Sequence, residues 1–155
     1  ELEQRNLLQN TVIIGVTDHY AYTMNDQQRV RELSHVPVDL LVERTPCFIW
    51  SADMQPMTVS KPCNTADLAP TLLNLFGMDC AGYLGHDIFD ETYAGYAIFS
   101  DGSWITSDAV YQSGAVAYTF PNHTITQTEI AAMNTRTSRY LAANNQILSS
   151  DYYCR

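Results

Sequence analysis

The chain has 155 residues, the length of a single domain, and 46% of them are hydrophobic, so it can bury a sizeable core. Its formal net charge is −9, and Lys61 is the only lysine among eight basic residues. This charge balance excludes the basic stripe of a nucleic-acid-binding protein and a polybasic contact with anionic lipid. No apolar run approaches the roughly 18 residues of a membrane span, and the first ten residues do not resemble a signal peptide. We therefore expect an acidic, soluble, globular chain.

The first half of the chain has the pattern of an α/β fold. Residues 11–17 (TVIIGVT) form a continuous apolar run rich in β-branched residues, which predicts a parallel strand buried on both faces. Residues 27–33 are predicted to form a short helix. Residues 46–50 predict a second strand, with residues 58–61 as its hairpin partner. Residues 65–76 (TADLAPTLLNLF) place their leucines on one face at helical spacing and predict a longer helix.

From residue 93 the pattern changes to short segments in which apolar and polar residues alternate. Asp101-Gly102 separates two such segments and Ser113-Gly114 separates the next two. Both dipeptides are typical of two-residue hairpin turns. We therefore predict that residues 93–120 form a small antiparallel β-meander.

The clearest helix signal follows the meander. Thr126 and Glu129 have the spacing of a capping box, and an apolar stripe continues from there to about Leu148. The predicted organisation is a portion of α/β core over residues 11–92, followed by the meander and a C-terminal helix over residues 93–155.

The cysteines leave two interpretations open. The chain contains four of them, without a C-x-x-C pair or zinc-finger spacing: Cys47, Cys63, Cys80 and Cys154. They are either buried or free thiols, or they form one or two disulfides in an extracytoplasmic protein. Cys47 and Cys63 lie at the open end of the predicted hairpin. We therefore hypothesise a disulfide between them, which requires their Cα atoms to lie within about 7 Å.

The best candidate for a functional site is the dipeptide Asp18-His19. It follows the most apolar strand directly, and ligands of open α/β sheets bind beyond the carboxyl ends of the strands. A carboxylate oxygen and an imidazole nitrogen are suitable ligands for Zn²⁺ or Mn²⁺. The same dipeptide is also typical of a turn or a cap, so its spacing alone leaves both interpretations open.

Other polar residues give weaker signals. The remaining histidines are expected to be surface or hydrogen-bonded loop residues: His35, His86 and His123. Three neighbouring carboxylates are expected to form a solvated acidic turn: Asp87, Asp90 and Glu91. Both tryptophans, Trp50 and Trp104, are predicted to lie in the core. The chain contains no Gly-rich phosphate loop, no G-x-S-x-G motif and no cysteine with a well-placed histidine base. The residues alone therefore indicate two possible metal ligands, Asp18 and His19, and no nucleophile.

Several segments together resemble a known family. The order and spacing of VIIGVTDHYAY, TPCFIW, NTADLAPTLLNLFGM, YLGHDIF and AIFSDGSWIT are similar to the C-terminal part of lipoteichoic acid synthase-type phosphoglycerol transferases. These enzymes belong to the sulfatase branch of the alkaline phosphatase superfamily. The resemblance covers residues 11–120. It implies the C-terminal part of an alkaline phosphatase-like, doubly wound α/β sheet with a small antiparallel meander and a C-terminal helix. It also implies that residues 1–155 are a C-terminal fragment of a sulfatase-like catalytic domain.

The resemblance further implies a metal-dependent enzyme at the extracytoplasmic face of the bacterial cell membrane. Members of the family are membrane-anchored and use a threonine nucleophile to move glycerol phosphate from phosphatidylglycerol to a polymer or glycolipid. A divalent metal, usually Mn²⁺, with Mg²⁺ or Zn²⁺ as alternatives, is held by a glutamate, that threonine and an Asp-His pair. The pair carries over onto Asp18 and His19.

Some parts of the family pattern match no segment of this chain. The nucleophilic threonine, the metal-binding glutamate and the membrane helices lie upstream in the family. We therefore expect the chain alone to be inactive, to bind metal weakly, and to contact the membrane only through segments outside it. One alternative is a related sulfatase, phosphatase or phosphoethanolamine transferase, although the C-x-P-x-R motif of sulfatases is not in this chain. The other is a non-catalytic structural or wall-binding module.

Overall fold

The fold is described by a computed structural model that covers residues 1–20, 23–24, 26–79 and 81–154. The chain divides into two compact units, Glu1–Thr58 and Val59–Arg155. Together they form a mixed α/β chain with two antiparallel sheets and a C-terminal helix, which confirms the predicted fold class. Among the described residues, no helix has both the length and the apolar character that crossing a bilayer requires.

The first unit contains a two-stranded sheet and one short helix. Strand β1 (Val12–Val16) pairs antiparallel with strand β2 (Cys47–Ser51) over its full length. Between them in sequence lies helix α1 (Gln27–Ser34), close to the predicted range. Among the described residues of this unit, the buried apolar side chains are Val30 of α1 and Leu40. The unit therefore has only a small core of its own.

The pairing and burial of β1 correct the prediction of a buried parallel strand. β1 is antiparallel to its partner, and its side chains Ile13, Ile14 and Val16 are 38–50% exposed. Trp50 of β2 is 38% exposed, so its predicted place in the core is also wrong. A continuous apolar run indicates that both faces of a strand are apolar. It does not indicate the direction of the partner strand or which elements cover those faces.

The predicted hairpin of β2 does not form either. β2 pairs with β1, and residues 58–61 are not a strand. Cys47 is an exposed free thiol, so the hypothesised disulfide with Cys63 is absent. Both predictions depended on the same wrong strand pairing. Cys80 lies outside the described residues.

The second unit begins with helix α2 (Leu68–Leu75), which confirms the helix predicted from the leucine spacing. A capping box precedes it. The side chain of Asn64 accepts a hydrogen bond from the N–H of Ala66 (3.1 Å), and the N–H of Asn64 donates to Asp67 (3.0 Å). Gly77 follows the helix with a φ of +66°, the left-handed conformation that ends many helices.

The predicted antiparallel meander is confirmed. Its four strands are paired in sequence order: β3 (Ala97–Ile98), β4 (Trp104–Ile105), β5 (Ala109–Gln112) and β6 (Ala115–Thr119). Ser113 and Gly114 connect the last two strands, and both have positive φ, 54° and 83°. A two-residue type I′ turn requires positive φ at both positions.

Helix α3 (Gln127–Ser150) packs against the meander and completes the core. The N–H of Thr126 donates to the Glu129 carboxylate (2.7 Å), so the predicted capping box is present. Trp104 is fully buried, as predicted, and its Nε1 donates to Oδ1 of Asn134 on α3 (2.8 Å). The buried cluster of this unit consists of Tyr93, Tyr96, Ile98, Trp104 and Ala109.

Candidate metal-binding site

Asp18 and His19 lie just beyond the end of β1, whose pairing with β2 ends at Val16. Because the regular strand has ended, two adjacent side chains are no longer forced to opposite faces. Nε2 of His19 lies 3.6 Å from Oδ2 of Asp18, and the two side chains are 50% and 85% exposed. Metal–ligand distances for such atoms are about 2.1 Å. One ion can therefore contact both atoms.

The tautomer of His19 suits this role. Its Nδ1 lies 2.8 Å from the carbonyl oxygen of Tyr20. A carbonyl oxygen can only accept a hydrogen bond, so Nδ1 carries the proton. The lone pair of the neutral ring is then on Nε2, the atom nearest Asp18. Metal-binding histidines are commonly oriented by a hydrogen bond of this kind.

The pair supplies a partial set of metal ligands. One carboxylate oxygen and one imidazole nitrogen fit Mn²⁺ or Zn²⁺ by donor type. Across the described part of the chain, however, no group of three or more His, Cys, Asp or Glu side chains is placed to hold an ion. Catalytic zinc-type sites use about three protein ligands and leave one position open. Asp18 and His19 can contribute to a metal centre but do not complete one by themselves.

The other histidines make local structural contacts. His35 ends α1 in the left-handed conformation (φ 53°). The ring of His86 stacks on Tyr93, with centroids 4.4 Å apart. Nδ1 of His123 lies 2.7 Å from Oδ1 of Asp108. All three histidines are exposed and His123 is hydrogen-bonded, in agreement with the expectation of surface or hydrogen-bonded loop histidines.

Two carboxylates of the acidic turn, Asp87 and Asp90, accept hydrogen bonds. Asp87 accepts from Nδ2 of Asn74 (2.6 Å) and from the N–H of Phe89 (3.0 Å). Asp90 accepts from both the hydroxyl and the N–H of Thr92, and these bonds hold the pKa of Asp90 below its usual range. Asp87 and Asp90 therefore stabilise this part of the chain through hydrogen bonds to neighbouring residues.

A buried carboxylate that the sequence analysis did not identify lies in the second unit. Asp67 is 3% exposed and accepts hydrogen bonds from the N–H of Asn64 (3.0 Å) and the N–H of His86 (2.8 Å). The hydroxyl of Tyr93 lies 3.5 Å from the same carboxylate. The Asn64-x-x-Asp67 spacing could have revealed the first bond. The second joins residues 19 positions apart, and no local pattern predicts it.

The surroundings of Asp67 indicate a structural role. Oγ1 of Thr71 accepts a hydrogen bond from the N–H of Ile88 (3.0 Å), which holds the loop that contains His86 and Ile88 against α2. A Cβ at Gly85 would lie only 1.9 Å from the carbonyl oxygen of Ala66, so the loop approaches the turn before α2 too closely for a side chain there. Burial, and next the negative charge of Asp67, raise the pKa of Tyr93. Its phenol therefore stays protonated at neutral pH.

Comparison with known proteins places the candidate site within a matched segment. Residues 1–78 match the family model described as sulfatase. The chain is 28% identical to the lipoteichoic acid synthase-like protein YvgJ of Bacillus subtilis (strain 168), over 72% of this chain and 20% of that protein. It is 23% identical to lipoteichoic acid synthase 2 of the same strain, over 97% of this chain and 24% of that protein. It is 25% identical to the lipoteichoic acid synthase of Staphylococcus aureus (strain USA300), over 99% of this chain and 25% of that protein. The chain thus spans about a fifth to a quarter of the length of these curated relatives.

Proposed function

The chain belongs to the sulfatase family, and from that premise we propose that it is part of a metal-dependent, extracytoplasmic phosphoglycerol transferase. The proposed reaction moves glycerol phosphate from phosphatidylglycerol to a polymer or glycolipid acceptor. The Asp18–His19 pair, with its two ligand atoms 3.6 Å apart inside the matched segment, carries the proposal. The names of the aligned relatives, lipoteichoic acid synthases, favour phosphoglycerol transfer over the other reactions of the family.

The proposed role of the pair is to hold a divalent cation. The Asp18 carboxylate supplies negative charge, and the hydrogen bond between Nδ1 of His19 and Tyr20 makes Nε2 the nitrogen that would act as the second ligand. We propose Mn²⁺ as the ion, with Mg²⁺ or Zn²⁺ as alternatives. Such an ion, when bound, neutralises phosphoryl oxygens and lowers the pKa of a hydroxyl nucleophile.

The exposed apolar residues of the first unit support the view that this chain contributes to a larger domain. Val16 of β1 is 50% exposed and Phe48 of β2 is 59% exposed. A two-stranded sheet is marginally stable in water, and exposed apolar patches commonly mark surfaces that another segment covers. We propose that residues 1–155 form the C-terminal part of an alkaline phosphatase-like catalytic domain. The remainder of that domain would supply the nucleophile and the missing metal ligands, and membrane-anchored segments of the longer protein would hold the enzyme at the membrane.

The chain alone is then expected to bind Mn²⁺ weakly and to transfer no glycerol phosphate, because two ligands are too few for a tight site. Calorimetric titration of Mn²⁺ into the wild-type chain and an Asp18→Asn variant tests this expectation. Glu91→Gln is the matched control, since it also removes one carboxylate charge from an exposed position. We expect binding weaker than micromolar that Asp18→Asn abolishes and Glu91→Gln preserves. Submicromolar affinity, or turnover of a phosphatidylglycerol analogue by the chain alone, would show that the site is more complete than proposed.

The activity itself is tested in the longer enzyme that contains this segment. Asp18→Ala or His19→Ala should lower glycerol phosphate transfer by about 100-fold or more, because even the loss of groups that support metal ligands costs 10–100-fold. The Glu91→Gln control should retain full activity. Release of the phosphoryl group to water would identify a hydrolase, and transfer of phosphoethanolamine would identify the related transferase. Unchanged transfer in both alanine variants would overturn the assignment of the pair.

A further inference from the structure

A cleft in the second unit is lined by two arginines, although the chain as a whole is acidic. Its volume is about 570 Å³, and it lies between α3 and the segment that precedes β3. Helix α3 contributes Arg136, Arg139 and Tyr140 to the wall, and the preceding segment contributes Leu84 and Tyr96. The cleft therefore combines cationic, aromatic and aliphatic groups.

The two arginines concentrate positive charge in an acidic protein. The chain has eight basic residues against a net charge of −9, and two of the eight line this one cleft. They lie three positions apart on α3 and so share one helical face, where like charges repel each other. Among the described residues, neither takes part in an ion pair, whereas Arg5, Arg29 and Arg31 do. An anion bound between the two guanidinium groups would relieve this repulsion.

Arg136 is already held in position for such a ligand. Its guanidinium carbon lies 5.0 Å from the centroid of the Tyr96 ring. The guanidinium group has five N–H donors with which it can bind an oxyanion. A guanidinium group oriented on an aromatic ring loses less conformational freedom when it binds an oxyanion. The small side chains of Ala132 and Ala143 also line the cleft and leave space beside the arginines.

We propose that this cleft is a binding site for a phosphodiester group, with Arg136 and Arg139 as the ligands of its anionic oxygens. Planar guanidinium groups match the paired oxygens of phosphate geometrically and form strong, charge-assisted hydrogen bonds. Leu84 and the alanines provide apolar contacts for the carbon atoms of the ester. The choice of a phosphodiester among tetrahedral oxyanions rests on the proposed function, because a glycerol phosphate polymer and the phosphatidylglycerol headgroup both carry that group.

Binding measurements with defined probes test the proposal. The probes are glycerophosphoglycerol as a soluble phosphodiester, inorganic phosphate, and vesicles of phosphatidylglycerol or phosphatidylcholine. The variants are R136Q/R139Q and the control R29Q/R44Q, which changes the net charge equally at two arginines of the first unit. We expect the R136Q/R139Q substitutions to weaken binding of glycerophosphoglycerol by about tenfold or more, because charge-assisted hydrogen bonds are lost. The control should bind like the wild type. The single variant Arg139→Gln, at an exposed position, should give a smaller loss of binding in a chain that melts at the wild-type temperature.

The arms of the experiment separate the two sources of the ligand. Binding to phosphatidylglycerol vesicles but not phosphatidylcholine vesicles, lost in R136Q/R139Q, assigns the lipid headgroup. Binding of the soluble diester without binding to vesicles assigns the polymer. The proposal is overturned if glycerophosphoglycerol does not bind, if phosphate binds but the diester does not, or if both double variants lose affinity equally. None of these readouts uses the metal or the transfer reaction, so they fail or succeed separately from the tests on Asp18.

Discussion

The two units of the chain use similar apolar residues but bury them very differently. Each unit has one tryptophan on a β-strand. Trp50, on β2 of the first unit, is 38% exposed, whereas Trp104, on β4 of the second, is completely buried. Ile14 of β1 and Val110 of β5 differ in the same way, with exposed fractions of 38% and 0%.

The contrast follows from the number of layers in each unit. In the second unit, the 24-residue helix α3 covers a four-stranded sheet, which gives two layers around one core. In the described part of the first unit, the strands number two and the α-helix is the eight-residue α1. Apolar sequence therefore produces a core only where a second layer covers it. The Asp18–His19 pair lies in the unit with less burial, so the candidate chemistry and most of the stability of the described chain are in different units.

Replacing each tryptophan tests this contrast most strongly. Trp104→Ala removes a fully buried ring and its hydrogen bond to Asn134, and it should lower the free energy of unfolding by about 3–5 kcal/mol. Trp50→Ala should lower it by only about 1–2 kcal/mol, because the side chain is already 38% exposed to water. Urea denaturation followed by circular dichroism measures both. Equal losses would mean that Trp50 is covered in solution, and the contrast between the units would disappear.

Hydrogen exchange tests the same contrast without any substitution. The amides that join β1 to β2 should exchange faster than those that join β5 to β6, because a two-stranded sheet opens locally at low cost. We expect a difference of about 100-fold in protection between the ladder around Ile14 and the ladder around Val110. Nuclear magnetic resonance with amide exchange gives both rates in one sample. Similar protection of the two ladders would contradict the assignment of most stability to the second unit.

The parts of the fold that depend on neighbouring residues could be predicted from the sequence. The capping box of Thr126 and Glu129 and the turn at Ser113-Gly114 form as expected because their hydrogen bonds and dihedral angles are local. The partner of β2 was predicted wrongly because it lies 31 to 39 residues earlier in the chain: Cys47 pairs with Val16, and Ser51 pairs with Val12. Such pairing is decided by long-range packing, which one strand does not encode.

The candidate sites show the same limit. Asp18 and His19 could be recognised together because they are adjacent in sequence. Asp67 could not, since its partner His86 lies in a loop beyond α2. The spacing of Arg136 and Arg139 is visible in the sequence, but only the fold brings Tyr96 and Leu84 to the same cleft.

Asp67→Asn tests how much that buried carboxylate contributes. The N–H groups of Asn64 and His86 each donate to a different oxygen of Asp67. In the asparagine variant one of these oxygens is replaced by an NH₂ group, which is itself a donor. A buried donor is then left without a partner, which should cost about 1–3 kcal/mol of unfolding free energy. Asp79→Asn is the control, because Asp79 is exposed and accepts from the N–H of Ala81. A loss no larger than that of the control would show that the loop around His86 is not held by Asp67.

The smallest expected effect concerns the start of α3. Thr126→Ala should lower the free energy of unfolding by about 1 kcal/mol, the usual contribution of an N-cap side chain. Thermal unfolding measures this loss.

The stability that the same capping box provides also depends on pH. The hydrogen bond from the backbone N–H of Thr126 to the carboxylate, followed by the bond from its hydroxyl, holds the pKa of Glu129 below its usual value of 4.5.

The direction of this pH dependence follows from the lowered pKa. A carboxylate that ionises more readily in the folded state stabilises the fold fully above its unfolded pKa of 4.5, and the stabilisation is lost as the pH falls through the folded value. Glu129→Gln should therefore melt below the wild-type temperature at pH 7, and the two curves should converge in acid. The double variant T126A/E129Q should lose less than the sum of the single changes, since both residues form one cap. A constant difference at all pH values would show that the charge of Glu129 does not contribute to the cap.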